Sequence, residues 1–329
     1  MASDTTNCVI FNGTRIPSVD TSKCIAWIVV LITECLAIVI LNIITIIVFL
    51  KQRQLQRRST YLIIHLAFVD FLVGAVSGPL TLADKMNAFC YQWKNPFSGC
   101  ATSLARSALV LFLYFISILN LTVISLERLH TTICPLKHRL LGNWIYVVVI
   151  CFIWTFSALV DFVPLMLYAA EEFKENSLSL FYNIRSSLCL LVLLVICVSY
   201  ILIYFKVRCG PNLQHHGATN REKQLTVTLL VVTLVSLVTW LPGVVLFILV
   251  YNPNTIFREM SSAEWNLHVS SAFTVMTTAN SLVNPILYAV RMAEFRKIVC
   301  QLFQRPSGRR EAHDIIQLNH RNTVEEVQP

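Results

Sequence analysis

Several of the most apolar stretches of this chain contain a carboxylate, amide or hydroxyl side chain. The set, in chain order, is Asn42, Asp70, Ser117, Asn280, Ser281 and Asn284. Polar groups at such positions are costly, so each needs a partner or a use. One carboxylate together with hydroxyl and amide oxygens suits a small hard cation such as Na⁺. The alternative is a hydrogen-bond network that joins helices and holds no ion.

A second candidate site combines opposite charges at the ends of two apolar stretches. Glu127 and Arg128 end one stretch, and Glu222 precedes another. Arg128 therefore has two candidate carboxylate partners, one beside it in sequence and one across the fold. Such a pair would hold two helix ends together. The alternative is an ordinary charge pair at a membrane edge, where arginine side chains reach toward water.

Two prolines lie inside apolar stretches beside polar or aromatic side chains. Trp240 and Leu241 precede Pro242, and Pro285 lies between Asn284 and Tyr288. A proline removes one helical hydrogen bond and kinks the helix, and a kinked helix can pivot. Both positions are candidate hinges, although many membrane prolines are purely structural.

The composition indicates the solvent that surrounds these residues. Of the 329 residues, 56% are hydrophobic and 13% charged, whereas soluble domains carry about 25% charged residues. So few charges cannot cover the surface of so much apolar chain. The net charge of +8 does not indicate nucleic-acid binding, because the basic residues lie between apolar runs. Much of the chain is therefore expected to lie in lipid.

Seven apolar stretches have the length of about 20 residues that spans a bilayer. They are Cys24–Leu50, Tyr61–Ala83, Ser98–Leu126, Trp144–Leu167, Leu180–Val207, Leu225–Tyr251 and Asn266–Val290. The third and seventh are the least uniformly apolar. An amphipathic segment, Ala293–Phe303, follows them. The sequence predicts an all-α membrane protein, a bundle of seven transmembrane helices with a short amphipathic eighth helix.

The distribution of basic residues predicts the orientation of the chain. Thirteen lysines and arginines fall on one side of the predicted bundle and six on the other, and the richer side is normally cytoplasmic. We therefore expect residues 1–23 to form an extracellular tail, 24–303 the membrane domain and 304–329 a disordered cytoplasmic tail. Asn12, in an Asn-Gly-Thr sequon, would then be a glycosylation site, and the protein would lie in the plasma membrane.

Together these motifs resemble those of the class A, rhodopsin-like G-protein-coupled receptors, over about Cys24–Phe303. Any one motif is weak, but their order and spacing are highly specific. The matching positions are Asn42, Leu66–Asp70, Trp154, Glu127–Leu129, Ile133–Leu136, Tyr200, Trp240–Pro242 and Asn284–Tyr288.

The resemblance implies roles for these residues. Asp70, Ser117, Asn280, Ser281 and Asn284 match the sodium pocket of the family, where the ion favours the inactive state. Sodium is the only cofactor that the resemblance implies.

The resemblance also implies a switch. On activation Arg128 would leave its carboxylate partners and face a heterotrimeric G protein, with Tyr200 and Tyr288 moving beside it. Trp240 would sense the ligand. Leu129 replaces the usual tyrosine of the family. The segment Ala293–Phe303 resembles the family's amphipathic helix, and Cys300 in it is a plausible palmitoylation site.

The sequence also departs from the family pattern. The usual cysteine pair between the third span and the second outer loop is absent, because Ser103 stands at the expected position. Cys100 could pair instead with Cys8, Cys24 or Cys90, and some of these could remain free thiols. Val192 replaces a usual proline and Ser236 a usual phenylalanine. The loss of both the cysteine pair and the proline resembles the group containing melanocortin, lysophospholipid, cannabinoid and adenosine receptors.

The resemblance narrows the ligand class. Val110 stands where amine receptors have an aspartate, which disfavours a biogenic amine. The predicted binding residues are Arg106, Val110, Leu111, Tyr114, Arg185, Gly243, Val244, Phe247, Thr274 and Thr278. Most of this lining is apolar and two members are cationic, which suits a lipid with an anionic head group or a small peptide. Alternatively, both arginines pair with nearby acids.

Two other functions are compatible with the sequence. A secondary transporter could use Asp70 in an ion path, but the internal repeats typical of transporters are not evident. A receptor-like protein that binds ligand but signals poorly is a further possibility, because Leu129 and Ser236 alter the switch. No constellation typical of an enzyme stands out.

Overall fold

The computed structural model describes residues 20–51, 60–86, 90, 100–140, 142–170, 175–209, 231, 234–245 and 263–303, and within them it is helical without β-strands. The helices are α1 (Thr21–Lys51), α2 (Thr60–Leu72), α3 (Gly78–Lys85), α4 (Cys100–Ile133), α5 (Pro135–Leu140), α6 (Trp144–Ala170), α7 (Glu175–Cys209), α8 (Leu234–Val245), α9 (Ala263–Arg291) and α10 (Ala293–Phe303). Helices are expected in lipid, because each backbone polar group must be satisfied within its own segment.

Five helical segments are long and apolar enough to cross a membrane. They are Thr21–Lys51, Thr60–Lys85, Leu104–Ile133, Trp144–Pro164 and Asn183–Lys206. The sixth predicted span is described mainly over Leu234–Val245. The seventh, α9, has 29 residues and is ample in length, but its polar residues lower its hydropathy. The predicted tails, 1–23 and 304–329, lie almost entirely outside the described residues.

Helix α1 begins at a side-chain cap. The Ser22 amide donates to Oδ1 of Asp20 at 3.1 Å, a typical N-cap contact that satisfies one otherwise unpaired amide. The hydrogen bond from the Ser22 backbone lowers the pKa of Asp20.

The second predicted span is not one continuous α-helix. Pro79 has no N–H to donate to the carbonyl of Ala75, and the Gly78 amide bonds to the Val73 carbonyl, five residues back. The result is a π-helical turn, Val73–Ser77, between α2 and α3. Such a turn holds an extra residue relative to an α-helix. It therefore changes the direction in which the α3 side chains project.

The π turn also packs closely against α1. A Cβ atom on Gly74 would lie 2.9 Å from Cγ2 of Ile38 and 3.1 Å from the Cys35 carbonyl oxygen. Only glycine permits this approach of two backbones. Small residues commonly have this role between membrane helices.

Hydrogen bonds between helices fix the register of the bundle. The Asn120 amide donates to the Leu62 carbonyl at 3.1 Å, the Asn42 amide to the Ser281 carbonyl at 3.1 Å, and the Trp154 indole to His65 at 2.8 Å. These bonds join α4 to α2, α1 to α9 and α6 to α2. Helix α4 lies at the centre, against α2, α6 and α7.

The two ends of the bundle are built differently. We name them the Lys85 end and the Arg128 end. At the Lys85 end a disulfide joins Cys24 in the first turn of α1 to Cys90 beyond α3. This pairing excludes two partners that the sequence left open for Cys100, namely Cys24 and Cys90. Cys8 lies outside the described residues.

At the Arg128 end, α10 turns back against the bundle. The aromatic ring of Phe49 packs edge-on to Tyr288, with ring centroids 5.8 Å apart, and also contacts Phe295. Arg296 donates to the Val290 carbonyl at 2.6 Å. The contact satisfies a carbonyl at the end of α9 that has no helical partner.

Candidate functional site

Asp70 is the centre of a buried polar cluster between α2, α4 and α9. Its Oδ1 accepts hydrogen bonds from the hydroxyls of Ser117 at 3.1 Å and Ser281 at 2.8 Å. Its Oδ2 accepts one from the Asn284 amide at 2.7 Å. Asp70 is completely buried. Among the described residues, no lysine or arginine forms an ion pair with it.

Further polar atoms next to this cluster lack hydrogen-bond partners among the described residues. They are both amide atoms of Asn280, Oδ1 of Asn284, Oδ1 of Asn42 and the hydroxyl of Tyr288. Buried polar atoms normally bond to protein or to ordered water. Unpaired oxygens around one carboxylate fit a small cation with its remaining water. The part of the chain that the structure describes contains no group of three His, Cys, Asp or Glu side chains for a transition metal.

Tyr288 lies one turn beyond Asn284 on α9. It is buried and packs against Phe49 at the Arg128 end. Pro285 lies one turn earlier within the same helix. Tyr288 therefore lies on α9 between the Asp70 cluster and the Arg128 end.

Arg128 is buried and held by its neighbour in sequence. Its Nε lies 3.0 Å from Oε2 of Glu127, and the two side chains are each 8% exposed. The other carboxylate oxygen of Glu127 lies 3.3 Å from Nε2 of His138 in α5. Thr131 also donates to it, at 3.4 Å. Of the two carboxylates predicted to hold Arg128, Glu127 does so, and Glu222 lies outside the described residues.

The aromatic residues predicted for the ligand pocket contact one another. Trp240 and Tyr114 pack edge to face with centroids 5.9 Å apart, and both are buried. The Trp240 indole N–H has no hydrogen-bond partner among the described residues. Gly243, one residue after Pro242, is packed so closely that a Cβ would overlap the Phe273 ring.

The remaining predicted pocket residues occupy α4, α8 and α9. Val244, Thr274 and Thr278 are buried, and Val110 and Leu111 are partly buried. The hydroxyls of Thr274 and Thr278 bond to carbonyls of α9 itself. Phe247 lies outside the described residues.

Both arginines predicted to receive an anionic ligand are paired with acids. Arg106 lies 3.0 Å from Asp84, and both side chains are partly exposed. Arg185 is buried, forms an ion pair with Asp161, and donates to the Leu111 carbonyl at 2.7 Å. Both arginines therefore follow the alternative interpretation of the sequence, in which each arginine pairs with a nearby acid. Neither offers an uncompensated positive charge.

The sequence matches the family described as the seven-transmembrane receptor (rhodopsin family) over residues 41–288. The match covers most of the chain. The chain belongs to this family. The resemblance read from its motifs is therefore confirmed, and so is the fold class.

The receptor is also similar to curated proteins of two ligand classes. The histamine H2 receptor of Rattus norvegicus is 28% identical over 294 residues, covering 84% of this chain and 78% of the relative. Lysophosphatidic acid receptor 1 of Homo sapiens is 26% identical over 312 residues, covering 88% and 81% respectively. The second belongs to one of the receptor groups that the cysteine and proline departures indicated.

Family membership establishes a multi-pass membrane receptor of class A and not an enzyme. The transporter alternative is therefore not supported, because the family is one of receptors. Cys300, predicted as a lipid attachment site, is exposed on α10. Asn12, predicted as a glycosylation site, lies outside the described residues.

Three residues that lie at or near these sites were not identified from the sequence. His138 lies in a short helix that hydropathy does not signal. Lys85 counted only as an outer basic residue, whereas it is buried. Pro79 was visible in the second span, and its missing N–H could have predicted the interruption there.

Proposed function

We propose that this receptor binds a lipid with an anionic head group and, in response, activates a heterotrimeric G protein. The observation that carries the ligand class is the combination of a buried aromatic and aliphatic lining with a cation at one end. Tyr114, Trp240 and Val244 are buried, and Lys85 contacts Ser270 at the Lys85 end. Such a pocket suits an acyl chain below a charged group. The lysophosphatidic acid receptors among the relatives support this class.

A biogenic amine is less suited to the pocket. Val110 offers no carboxylate to an ammonium group, and Asp84 and Asp161 are paired with arginines. Among the described residues near the pocket, Glu34 of α1 is an acid with an unpartnered oxygen. The histamine receptors among the relatives make histamine the appropriate comparison ligand.

The coupling to G protein would depend on Arg128. In the structure its charge is held by Glu127 and shielded from solvent. We propose that ligand binding shifts the receptor toward a state in which Arg128 leaves Glu127, Tyr200 and Tyr288 move beside it, and the Arg128 end opens. The kinks at Pro242 and Pro285 would permit this motion.

We propose that sodium is an allosteric ligand of the same receptor. Asp70, Ser117, Asn280, Ser281 and Asn284 would hold it, with the carboxylate supplying charge and the others neutral oxygens. The unpaired amide of Asn280 and Oδ1 of Asn284 support this ligand set. The bound cation would neutralise Asp70 and so stabilise the closed arrangement of α2, α4 and α9.

We place the receptor in the plasma membrane with its N-terminus outside. The excess of lysine and arginine on the Arg128 side supports this orientation, and it would put Arg128 where a G protein can reach it. Glycosylation of Asn12 and palmitoylation of Cys300 are compatible with it.

Nucleotide exchange on a purified G protein, in membranes that contain the receptor, tests the proposal. Oleoyl lysophosphatidate and histamine are compared as ligands, with Arg128→Ala as the control. A nucleotide-exchange rate that rises with lysophosphatidate in the unaltered receptor but not in Arg128→Ala supports both the lipid ligand and the role of Arg128 in coupling. A response to histamine alone would overturn the lipid class. Lipid binding without any exchange would indicate a receptor that signals poorly.

A further inference from the structure

At the Lys85 end, a buried lysine has no ion-pair partner among the residues that the structure describes. Lys85 is the last residue of α3, yet its side chain is only 8% exposed. Its ammonium group donates to the hydroxyl of Ser270 on α9 at 3.2 Å. Among the described residues, no carboxylate lies within ion-pair distance of it. The preceding residue, Asp84, is committed to Arg106.

An unbalanced buried ammonium is costly. A hydroxyl partner supplies one of the three acceptors that a lysine head group can use and no opposing charge. The negative end of the α3 dipole helps, but such an effect is small compared with the loss of hydration. The buried ammonium group of Lys85 is therefore suited to bind an anionic ligand.

Residues near Lys85 and Ser270 in sequence join α1 to the same end of the bundle. On α1, the Trp27 indole donates to Nδ1 of His268 at 3.0 Å. Cys24 packs against Leu267 and is tied to Cys90 by the disulfide.

These contacts hold α1, α3 and α9 together around Lys85. The disulfide fixes the start of α1 to the chain that follows α3, and the bond from Trp27 to His268 fixes α1 to α9. The π turn at Val73–Ser77 sets the direction of the α3 side chains. The site therefore rests on rigid elements, as a recognition site requires.

From these observations we infer that Lys85, with Ser270, binds the anionic head group of the receptor's ligand. This inference rests on the proposed lipid ligand and assigns its charged group to a residue other than Arg106 and Arg185. The head group would take the place of the missing counterion and accept hydrogen bonds from Lys85 and Ser270. The acyl chain would then extend toward Tyr114 and Trp240.

The test compares three probes on the full-length receptor in lipid nanodiscs. They are oleoyl lysophosphatidate, uncharged monooleoylglycerol and inorganic phosphate, and both binding and thermal inactivation are measured. In the unaltered receptor, we expect lysophosphatidate to bind more tightly than monooleoylglycerol. Lys85→Gln should lower the lysophosphatidate affinity about 10- to 100-fold, the range for a lost charged hydrogen bond, and leave monooleoylglycerol within about 3-fold.

Two further variants separate binding from folding. Lys23→Gln removes a charge from an exposed lysine at the same end and should change neither affinity. The ligand-free receptor with Lys85→Gln should resist heat as well as the unaltered receptor or better, because a buried unpaired charge has been removed. A structural role would instead make this variant less stable.

The outcomes distinguish the two proposals. If lysophosphatidate binds equally well to the Lys85→Gln variant, the head-group inference is wrong and the lipid ligand stands. If lysophosphatidate does not bind but phosphate stabilises only the unaltered receptor, the anion site stands and the lipid class fails. If no probe depends on Lys85, the inference is overturned.

Discussion

Replacing Asp70 by asparagine separates the structural role of this side chain from its charge. The carboxylate accepts three buried hydrogen bonds, from Ser117, Ser281 and Asn284. An asparagine at position 70 keeps one oxygen for the two hydroxyls. Its amide nitrogen must donate, and Oδ1 of Asn284 has no partner among the described residues. A half-turn of the Asn284 amide therefore restores the third bond.

The expected energies follow from this exchange. Three charge-assisted hydrogen bonds become neutral ones, at a cost of about 1 kcal/mol each, while removing a buried charge returns several kcal/mol of desolvation. Asp70→Asn should therefore fold, with a net change within about 2 kcal/mol. Asp70→Ala leaves three buried donors unpaired at about 1–3 kcal/mol each, so its surface expression should collapse.

Sodium dependence is the decisive measurement. Agonist affinity is measured in membranes with sodium and with an equal concentration of a large organic cation. The unaltered receptor should bind agonist more weakly in sodium, by about 5- to 150-fold if the coupling is of ordinary size. Asp70→Asn should abolish the difference, because a neutral amide no longer balances the ion. A sodium effect that persists in a well-expressed Asp70→Asn receptor would place the ion elsewhere and refute the reasoning.

Three other changes test the remaining elements. Glu127→Gln removes the ion pair at 3.0 Å that holds Arg128, which we call the latch. If the pair contributes about 1 kcal/mol, basal nucleotide exchange should rise about 5-fold. Unchanged basal exchange at equal surface expression would contradict this role of the pair. Pro79→Ala restores the missing N–H and should convert the π turn to α-helix, which changes the direction of the Lys85 side chain. The lysophosphatidate affinity should therefore fall about 10-fold or more, as for a lost charged hydrogen bond, without loss of heat resistance. An unchanged affinity would show that the π turn does not position Lys85. Arg185→Met and Asp161→Leu should each cost about 3–5 kcal/mol in heat-inactivation assays, and the double variant should recover most of it; additive losses would show that the pair is not coupled.

The membrane topology and the polar clusters were largely predictable because they depend on local patterns. Apolar length identifies a span, and a polar residue within one stands out at once. Asp70, Ser281 and Asn284 could be grouped before any coordinates, although Asp70 and Asn284 are more than two hundred positions apart in sequence. Their hydrogen bonds agree with that grouping.

What the sequence did not predict depends on direction rather than on pattern. Hydropathy does not predict that the Lys85 side chain turns inward after the extra residue of the π turn. Cysteine pairing likewise depends on which helix starts meet in space, so Cys24 and Cys90 could not be matched from spacing. These features need the relative rotation of neighbouring helices, which periodicity alone does not fix.

The polar residues of α9 account both for its low hydropathy and for its proposed function. It is less apolar than the five spanning segments because it contains more polar residues. Many of these residues are buried inside the bundle. Ser270 contacts Lys85, Ser281 and Asn284 bind Asp70, and Tyr288 packs against Phe49 at the Arg128 end. These contacts span 18 residues, about 27 Å of helix. A small rotation of α9 would therefore alter the head-group site, the sodium cluster and the latch together, which is the linkage that a transmembrane receptor requires.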